Sequence, residues 1–335
     1  MNFFDEINKK ITLTSTQEQE INRKLETERN KPLIVVVMGQ TGVGKSSLIN
    51  ALFGIKLKTN DVQPETKFPE KHIETVADGY ELWFWDMPGI GESSSADAGY
   101  LNGYRQKILD ADIALWLCHA DSRSVTFDVE AIQKILSNLT DGEQSVIMSK
   151  LTFVLSKSDL VTPEPWILYR TGTEAIFETS EETEKLLEAK ASYFKQALIV
   201  PHGNKFSSRT FHDRNFQLQL DNLTFDKHFA YYSGIMSSST LRKLRDNYPE
   251  YSDVFIRLHK NSEIVYCSSR FRYNLSKLMQ VIVDKLEGAA SIRFRNFISK
   301  NPMNRVSWNK ARKFSNLVVF DSEKDEIVFD LSNVK

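Results

Sequence analysis

Apolar runs of strand length alternate with stretches of helical period through the first half of the chain. The first run, Leu33-Ile34-Val35-Val36-Val37-Met38, is continuous, as in a strand buried on both faces. A helix-like run, Ser47-Leu48-Ile49-Asn50-Ala51-Leu52-Phe53, follows a short glycine-rich loop. Residues 71–78 and 81–86 predict a hairpin turned at Asp78-Gly79. Residues 113–118 predict the next buried strand, and residues 127–138 a helix. The run from Leu151 predicts a further strand with a polar end. Such alternation predicts an α/β fold: a sheet with helices on both faces. A ligand then lies at the carboxyl ends of the strands.

The flanks read differently. Residues 1–30 are polar, with apolar residues at Phe3, Phe4, Ile7, Ile11, Ile21 and Leu25. That spacing predicts an N-terminal helical arm, packed on the domain's flank or free for self-association. Residues 31–287 read as the main domain. Residues 181–198 are a charged helical run, and residues 199–262 are too long for an ordinary connection, which predicts an insertion. Residues 288–335 form a small C-terminal tail. It is basic through Arg293, Arg295, Lys300, Arg305, Lys310, Arg312 and Lys313, with Phe294, Phe297 and Trp308 interleaved. Its last part, residues 317–320 and 327–331, predicts a hairpin.

The 335 residues leave room for such a domain with additions, and 41% hydrophobic with 26% charged residues suits a globular protein. A net charge of −1 supplies no global field that would draw nucleic acid. Cys118 and Cys267 fall in predicted buried strands and read as core thiols in a reducing cytoplasm. Histidines at 202, 212, 228 and 259 match no metal spacing. No apolar run reaches the length of a membrane span, and the start lacks the basic and apolar regions of a signal peptide. A cytoplasmic location is expected.

The sharpest chemistry lies in Gly39-Gln40-Thr41-Gly42-Val43-Gly44-Lys45-Ser46, between the first strand and the first helix. It fits G-x-x-x-x-G-K-[ST], a loop whose backbone N–H groups cradle phosphates. The helix N-terminus that opens at Ser46-Ser47 adds partial positive charge. Lys45 would reach the β- and γ-phosphates, and the Ser46 hydroxyl would ligate Mg²⁺. Asp86-Met87-Pro88-Gly89 ends the second hairpin strand as D-x-x-G. Asp86 would hold Mg²⁺ through water, and the Gly89 N–H would sense the γ-phosphate. Alone, that tetrad also reads as a plain turn. Ser156-Lys157-Ser158-Asp159 approaches the [NT]-K-x-D guanine reader, with serine in the first place. The Asp159 carboxylate would accept from the guanine ring N–H and amino group, and adenine would leave buried groups unpaired there. The Lys157 stem would lie over the base.

In this order, these motifs resemble the GTPases of the TRAFAC class, in particular the Era-like branch and its 50S ribosome-binding GTPase type. The immunity-related GTPases are more distantly similar. Residues 39–54 and 86–92 carry the resemblance, which covers residues 31–160 well and extends to 264–287. It implies a P-loop NTPase fold with a mixed, mostly parallel six-stranded sheet, GTP as substrate, GDP as product and Mg²⁺ as cofactor. It also implies a switch-one threonine that ligates Mg²⁺. Thr66 is the expected residue and Thr59 the competitor. A last guanine-contacting motif is expected at Ser268 and Ser269, with Tyr231-Tyr232-Ser233-Gly234 as the rival.

Two departures bear on catalysis. Relatives that orient water with a glutamine carry it after the D-x-x-G glycine, where this chain has Ile90. Glu92, Asp97, Arg105, Lys56 and Lys58 are stand-ins that spacing does not separate from surface charges. Slow hydrolysis is therefore expected. Potassium-dependent relatives carry asparagine where this loop has Gly42, so potassium dependence is not expected. The resemblance leaves three roles open: a molecular switch, a GTP-dependent self-associating homodimer, and a ribosome- or RNA-associated factor contacting RNA through residues 288–313. That tail lacks the G-x-x-G loop of a KH module.

Overall fold

The computed structural model describes residues 14–54, 57, 69–76, 80–89, 103–161, 166–171, 173–209, 219–220, 222–225, 229–287, 290–291, 294, 303–311, 317–321 and 326–330. Thr59, Thr66, Lys56, Lys58, Ile90, Glu92 and Asp97 lie outside the described residues, as does most of the basic stretch of the tail.

A six-stranded sheet forms the centre. Its strands are β1 (Leu33–Gly39), β2 (Glu70–Val76), β3 (Tyr80–Asp86), β4 (Ile113–His119), β5 (Leu151–Ser156) and, from late in the chain, β12 (Ile264–Tyr266). Their order is β12-β5-β4-β1-β3-β2. All pairs are parallel except β2 with β3, the hairpin anticipated from the sequence. Strands β1, β4 and β5 are buried along nearly their whole length, as parallel strands covered on both faces must be.

Alternate side chains of each strand feed opposite cores. Val35, Val37, Leu115, Leu117 and Val154 pack against helices α2 (Lys45–Phe53) and α9 (Leu275–Lys285). Val36, Met38, Trp116, Phe153 and Leu155 face the other side. There they meet α3 (residues 103–110), α4 (Thr126–Leu136), α5 (Asp141–Lys150) and α6 (Glu181–Leu198). Before the sheet, α1 (Ser15–Asn30) starts at a capping box in which Thr14 and Gln17 exchange bonds.

Two smaller sheets sit beside this centre. β8 (Phe206–Arg209), β9 (Gln219–Leu220), β10 (Leu223–Phe225) and β11 (Phe229–Tyr232) pair antiparallel in the order β8-β11-β10-β9. With α7 (Ser238–Asn247) and α8 (Ser252–Lys260) they enclose a separate core around Phe225, Tyr251 and Phe255. The third sheet has the order β13-β7-β6-β14-β15. It joins β6 (Trp166–Thr171) and β7 (Glu174–Glu178) to strands of the tail, β13 (Arg305–Ser307), β14 (Leu317–Asp321) and β15 (Glu326–Asp330). A short helix, α10 (Trp308–Ala311), follows β13. The pairing of β6 with β14 is parallel and links residues about 150 positions apart, an arrangement that local patterning does not signal.

Candidate nucleotide site

The register of the parallel strands sets the sequence motifs along one edge. Asp86 pairs with Val37, Gly39 with Leu117, His119 with Ser156, and Tyr266 with Leu155. The loop, the D-x-x-G tetrad, the guanine-type tetrad and Ser268 therefore all leave the sheet at its carboxyl edge. The rival Tyr231-Tyr232-Ser233-Gly234 belongs to the β11 end of the second sheet.

Gly39 turns the chain out of β1 with φ 136°, and a Cβ there would lie 2.2 Å from the Leu117 carbonyl oxygen. No other residue fits without moving β4. α2 starts at Gly44 and ends at Gly54, whose N–H donates to the Asn50 carbonyl. Gln40, Thr41, Gly42 and Val43 form the loop between. Lys45 is buried, and its Nζ donates to the Gln40 carbonyl at 3.1 Å and the Gly39 carbonyl at 3.4 Å. Ser46 Oγ donates to Asp86 Oδ2 at 2.6 Å. Ser47 follows in the first turn of α2.

Asp86 is 2% exposed. Burial pushes its carboxyl above the usual range, against the Ser46 hydrogen bond and the Lys45 charge, which favour the ionised form. Mg²⁺ takes hard oxygen ligands, and the Ser46 hydroxyl and Asp86 carboxylate are two such groups side by side beside a phosphate loop. The residues present fit the ion. Gly89 is buried against the loop: a Cβ there would meet Thr41 Oγ1 at 2.0 Å and Thr41 Cα at 2.6 Å. The tetrad and the phosphate loop thus touch through backbone.

At the other end of the edge, Ser156 Oγ donates to the carbonyls of Val43, at 2.6 Å, and Cys118, at 3.1 Å. Its hydroxyl therefore braces the loop against β4 and β5. Lys157 adopts φ 54°, and its stem lies near Gly44, where an added Cβ would be 3.6 Å from Lys157 Cε. Asp159 Oδ1 accepts from Ser268 Oγ at 2.6 Å, and Arg270 Nη1 stands 3.8 Å from Asp159 Oδ2. Ser268 Oγ also accepts the Phe271 N–H at 3.1 Å. Ser269 is half-buried beside it. Phe271 stacks on Phe177 of β7 with centroids 4.3 Å apart, so the third sheet buttresses this loop.

Two residues near the site were not found from the sequence. Asp128, 2% exposed in the first turn of α4, accepts from Gln40 Nε2 and from Trp116 Nε1, each at 2.8 Å. Burial pushes its carboxyl up, while these bonds favour the charged form. Its signal was available: Asp128 heads the stripe continued by Ala131, Ile132 and Ile135, a polar residue on an apolar face. Tyr104 of α3 is fully buried and donates its hydroxyl to the Pro88 carbonyl. Arg105, a sequence-level stand-in for the missing glutamine, instead donates to the carbonyls of Ile135, Lys134 and Ser137 and caps α4.

Both cysteines are free and buried, and no cluster of three metal-type ligands occurs among the described residues. No helix among them is long and apolar enough to cross a membrane.

Comparison with known proteins finds relatives for part of the chain. Residues 14–151 match the model of the family described as 50S ribosome-binding GTPase. The protein of Escherichia coli (strain K12) named "Uncharacterized protein YkfA" is 38% identical over 131 residues, 39% of this chain and 43% of that protein. GTPase Era of Clostridium botulinum (strain Alaska E43 / Type E3) is 32% identical over 133 residues, 39% of this chain and 41% of Era. The chain thus spans less than half the length of these curated relatives. A structure of Era in complex with MgGDPNP and nucleotides 1506–1542 of 16S ribosomal RNA aligns with TM-score 0.41 and 17% identity, covering 78% of this chain and 58% of that one. Toc33 from Arabidopsis thaliana in complex with Mg²⁺ and GMPPNP aligns with TM-score 0.37 and 22% identity, covering 55% of this chain and 70% of Toc33. The family match spans the phosphate loop and the Asp86–Gly89 tetrad, and over residues 14–151 the chain is similar to the Era-like P-loop GTPases.

Proposed function

We propose that the protein binds GTP and GDP with Mg²⁺ at the carboxyl edge of the central sheet, hydrolyses GTP slowly, and acts as a molecular switch. The observation that carries this reading is the row of groups on that edge: Lys45, Ser46 and Asp86 at one end, Asp159 and Ser268 at the other. The first three make a phosphate-and-cation end, and the last two a base-reading end.

In this reading the loop N–H groups and Lys45 hold the phosphates, Lys45 leaving its carbonyl partners for them. Ser46 and Asp86, with Thr66 as the third expected oxygen ligand, hold Mg²⁺. The ion supplies neutralisation of phosphate charge. Asp159 exchanges its contacts with Ser268 and Arg270 for two guanine donors, and Ser268 and Ser269 line the base. Gly89, packed on Thr41, passes γ-phosphate occupancy to the segment that follows. Slow turnover follows from Ile90, whose apolar side chain cannot orient water.

Initial-rate measurement of phosphate release from GTP and ATP, with Mg²⁺ and with chelator, tests this. Release from GTP alone, abolished by the chelator, is expected. Equal release from ATP would overturn the guanine assignment. A second role, contact with the ribosome, is supported by the description of the matched family. Nucleotide-dependent co-sedimentation with ribosomal subunits tests it, and GTP turnover per molecule that rises with protein concentration would favour self-association instead.

A further inference from the structure

At the opposite edge of the central sheet, where β4 and β5 begin, lies a cavity of about 330 Å³. Its walls come from two bodies. The central domain supplies Ala111, Asp112, Lys150 and Lys285, and the second sheet with α8 supplies Ser207, Ser208, Arg257 and Asn261. This volume is at the lower end of small-molecule pockets, and well above what a few waters need.

The lining is rich in buried donors. Lys285, Arg257, Ser207, Ser208 and Asn261 are each less than 9% exposed. Arg257 spreads its guanidinium between Ser208 Oγ, at 2.7 Å, and Asp253 Oδ2, at 2.9 Å, with Glu287 at 4.0 Å. Lys150 donates to the carbonyls of Leu109 and Ala111 at 2.5 and 2.7 Å. Lys285 donates to the Leu151 carbonyl. Of the two carboxylates in the lining, Asp112 accepts the Ile34 N–H at 2.8 Å, and Glu287 is the one near Arg257.

Lys285 satisfies the Leu151 carbonyl and is also a buried amine in the wall of the cavity. It ends a helix whose inner face is otherwise Leu275, Leu278, Met279 and Ile282, all buried. A leucine or methionine there would avoid burying a charge. Burial brings the Lys285 amine down to about 7, although Glu263 acts in the other direction. A bound anion would favour the charged form, and ammonium, guanidinium and hydroxyl donors together are the set that binds phosphate oxygens.

We propose that this cavity is a second ligand site, distinct from the nucleotide site, that takes a small organic phosphate held by Lys285 and Arg257. Because its walls come from the central domain and the inserted sheet, occupancy ties one to the other.

Pyridoxal 5′-phosphate is the probe, applied to the full chain with excess GDP and Mg²⁺. Its aldehyde condenses with a neutral lysine amine, losing water to form an imine, and borohydride delivers hydride to leave a stable secondary amine. Peptide mass spectrometry then reads which lysine is modified. The expected result is Lys285 modified at least about tenfold faster than exposed Lys243, because the probe's phosphate, held at Arg257, sets its aldehyde beside the Lys285 amine. Pyridoxine 5′-phosphate, which lacks the aldehyde, should protect Lys285, and GDP should not. In Arg257→Gln, protection should need about tenfold more pyridoxine 5′-phosphate. Thermal stabilisation of the wild type by pyridoxine 5′-phosphate gives a second reading that needs no variant. Modification spread evenly over surface lysines, or Lys285 modification that pyridoxine 5′-phosphate leaves unchanged, would overturn the proposal. So would protection of Lys285 by GDP. Loss of GDP protection at Lys45 alone bears on the nucleotide site and leaves this one standing.

Discussion

The Ser156 hydroxyl donates to the Val43 carbonyl at 2.6 Å, tying the end of β5 to the phosphate loop. The same oxygen reaches the Cys118 carbonyl at 3.1 Å, so one side chain joins β4, β5 and the loop. These bonds hold the loop's shape. Ser156→Ala is expected to weaken GTP and GDP binding alike by about 1 kcal/mol, or about fivefold. Preference for guanine over adenine should be unchanged. Titration calorimetry with GTP, GDP and ATP checks this, and selective loss of guanine preference would show that Ser156 reads the base.

Gly89 meets Thr41 through backbone, and the clash a Cβ would make there involves a main-chain atom as well as the hydroxyl. Gly89→Ala must shift one segment or the other. We expect GTP hydrolysis to fall by at least about tenfold with circular dichroism unchanged. GDP binding should suffer less than GTP binding.

Asp128 serves two donors at once, the half-buried Gln40 Nε2 and the buried Trp116 Nε1. Asp128→Ala should cost about 1–3 kcal/mol of stability in urea unfolding for the donors left without an acceptor. Asp128→Asn should fall between wild type and alanine, because its amide keeps one acceptor and turns a donor toward the other partner. Gln40→Ala frees only one oxygen of Asp128 and should be milder than Asp128→Ala.

Lys285 predicts a specific pH dependence of stability. Its folded-state value of about 7 lies below the ordinary lysine value of about 10. Between these limits the unfolded chain binds the proton and the folded chain does not. Its contribution to stability therefore rises with pH from about 7 to about 10. Lys285→Met should remove that slope. The difference between the two proteins, measured by urea unfolding across this range, isolates the residue, and parallel curves would contradict the assignment.

How much of this was legible in the sequence depended on how local the cause was. β1, β4 and β5 announce themselves because parallel strands covered on both faces need unbroken apolar runs. The α2 start is visible because the phosphate loop and the helix cap use the same glycines. The hairpins β2–β3 and β14–β15 show as paired runs about a turn. The partnership of β6 and β7 with the tail does not show, since Arg305 meets Ile176 and Leu317 meets Trp166 only through tertiary contact. Asp128, Tyr104 and Lys285 escaped for a related reason. Each is a polar group on an otherwise apolar face, and its partner lies on another element.

The most direct test of the central claim is binding of GTP and xanthosine triphosphate, with Mg²⁺, to the wild type and to Asp159→Asn. The account places Asp159 opposite the two guanine donors, so the wild type should prefer GTP and the variant should shift toward the xanthine nucleotide. Unchanged GTP affinity in Asp159→Asn, with no gain for xanthosine triphosphate, would contradict the base-reading role and leave a phosphate loop without guanine specificity.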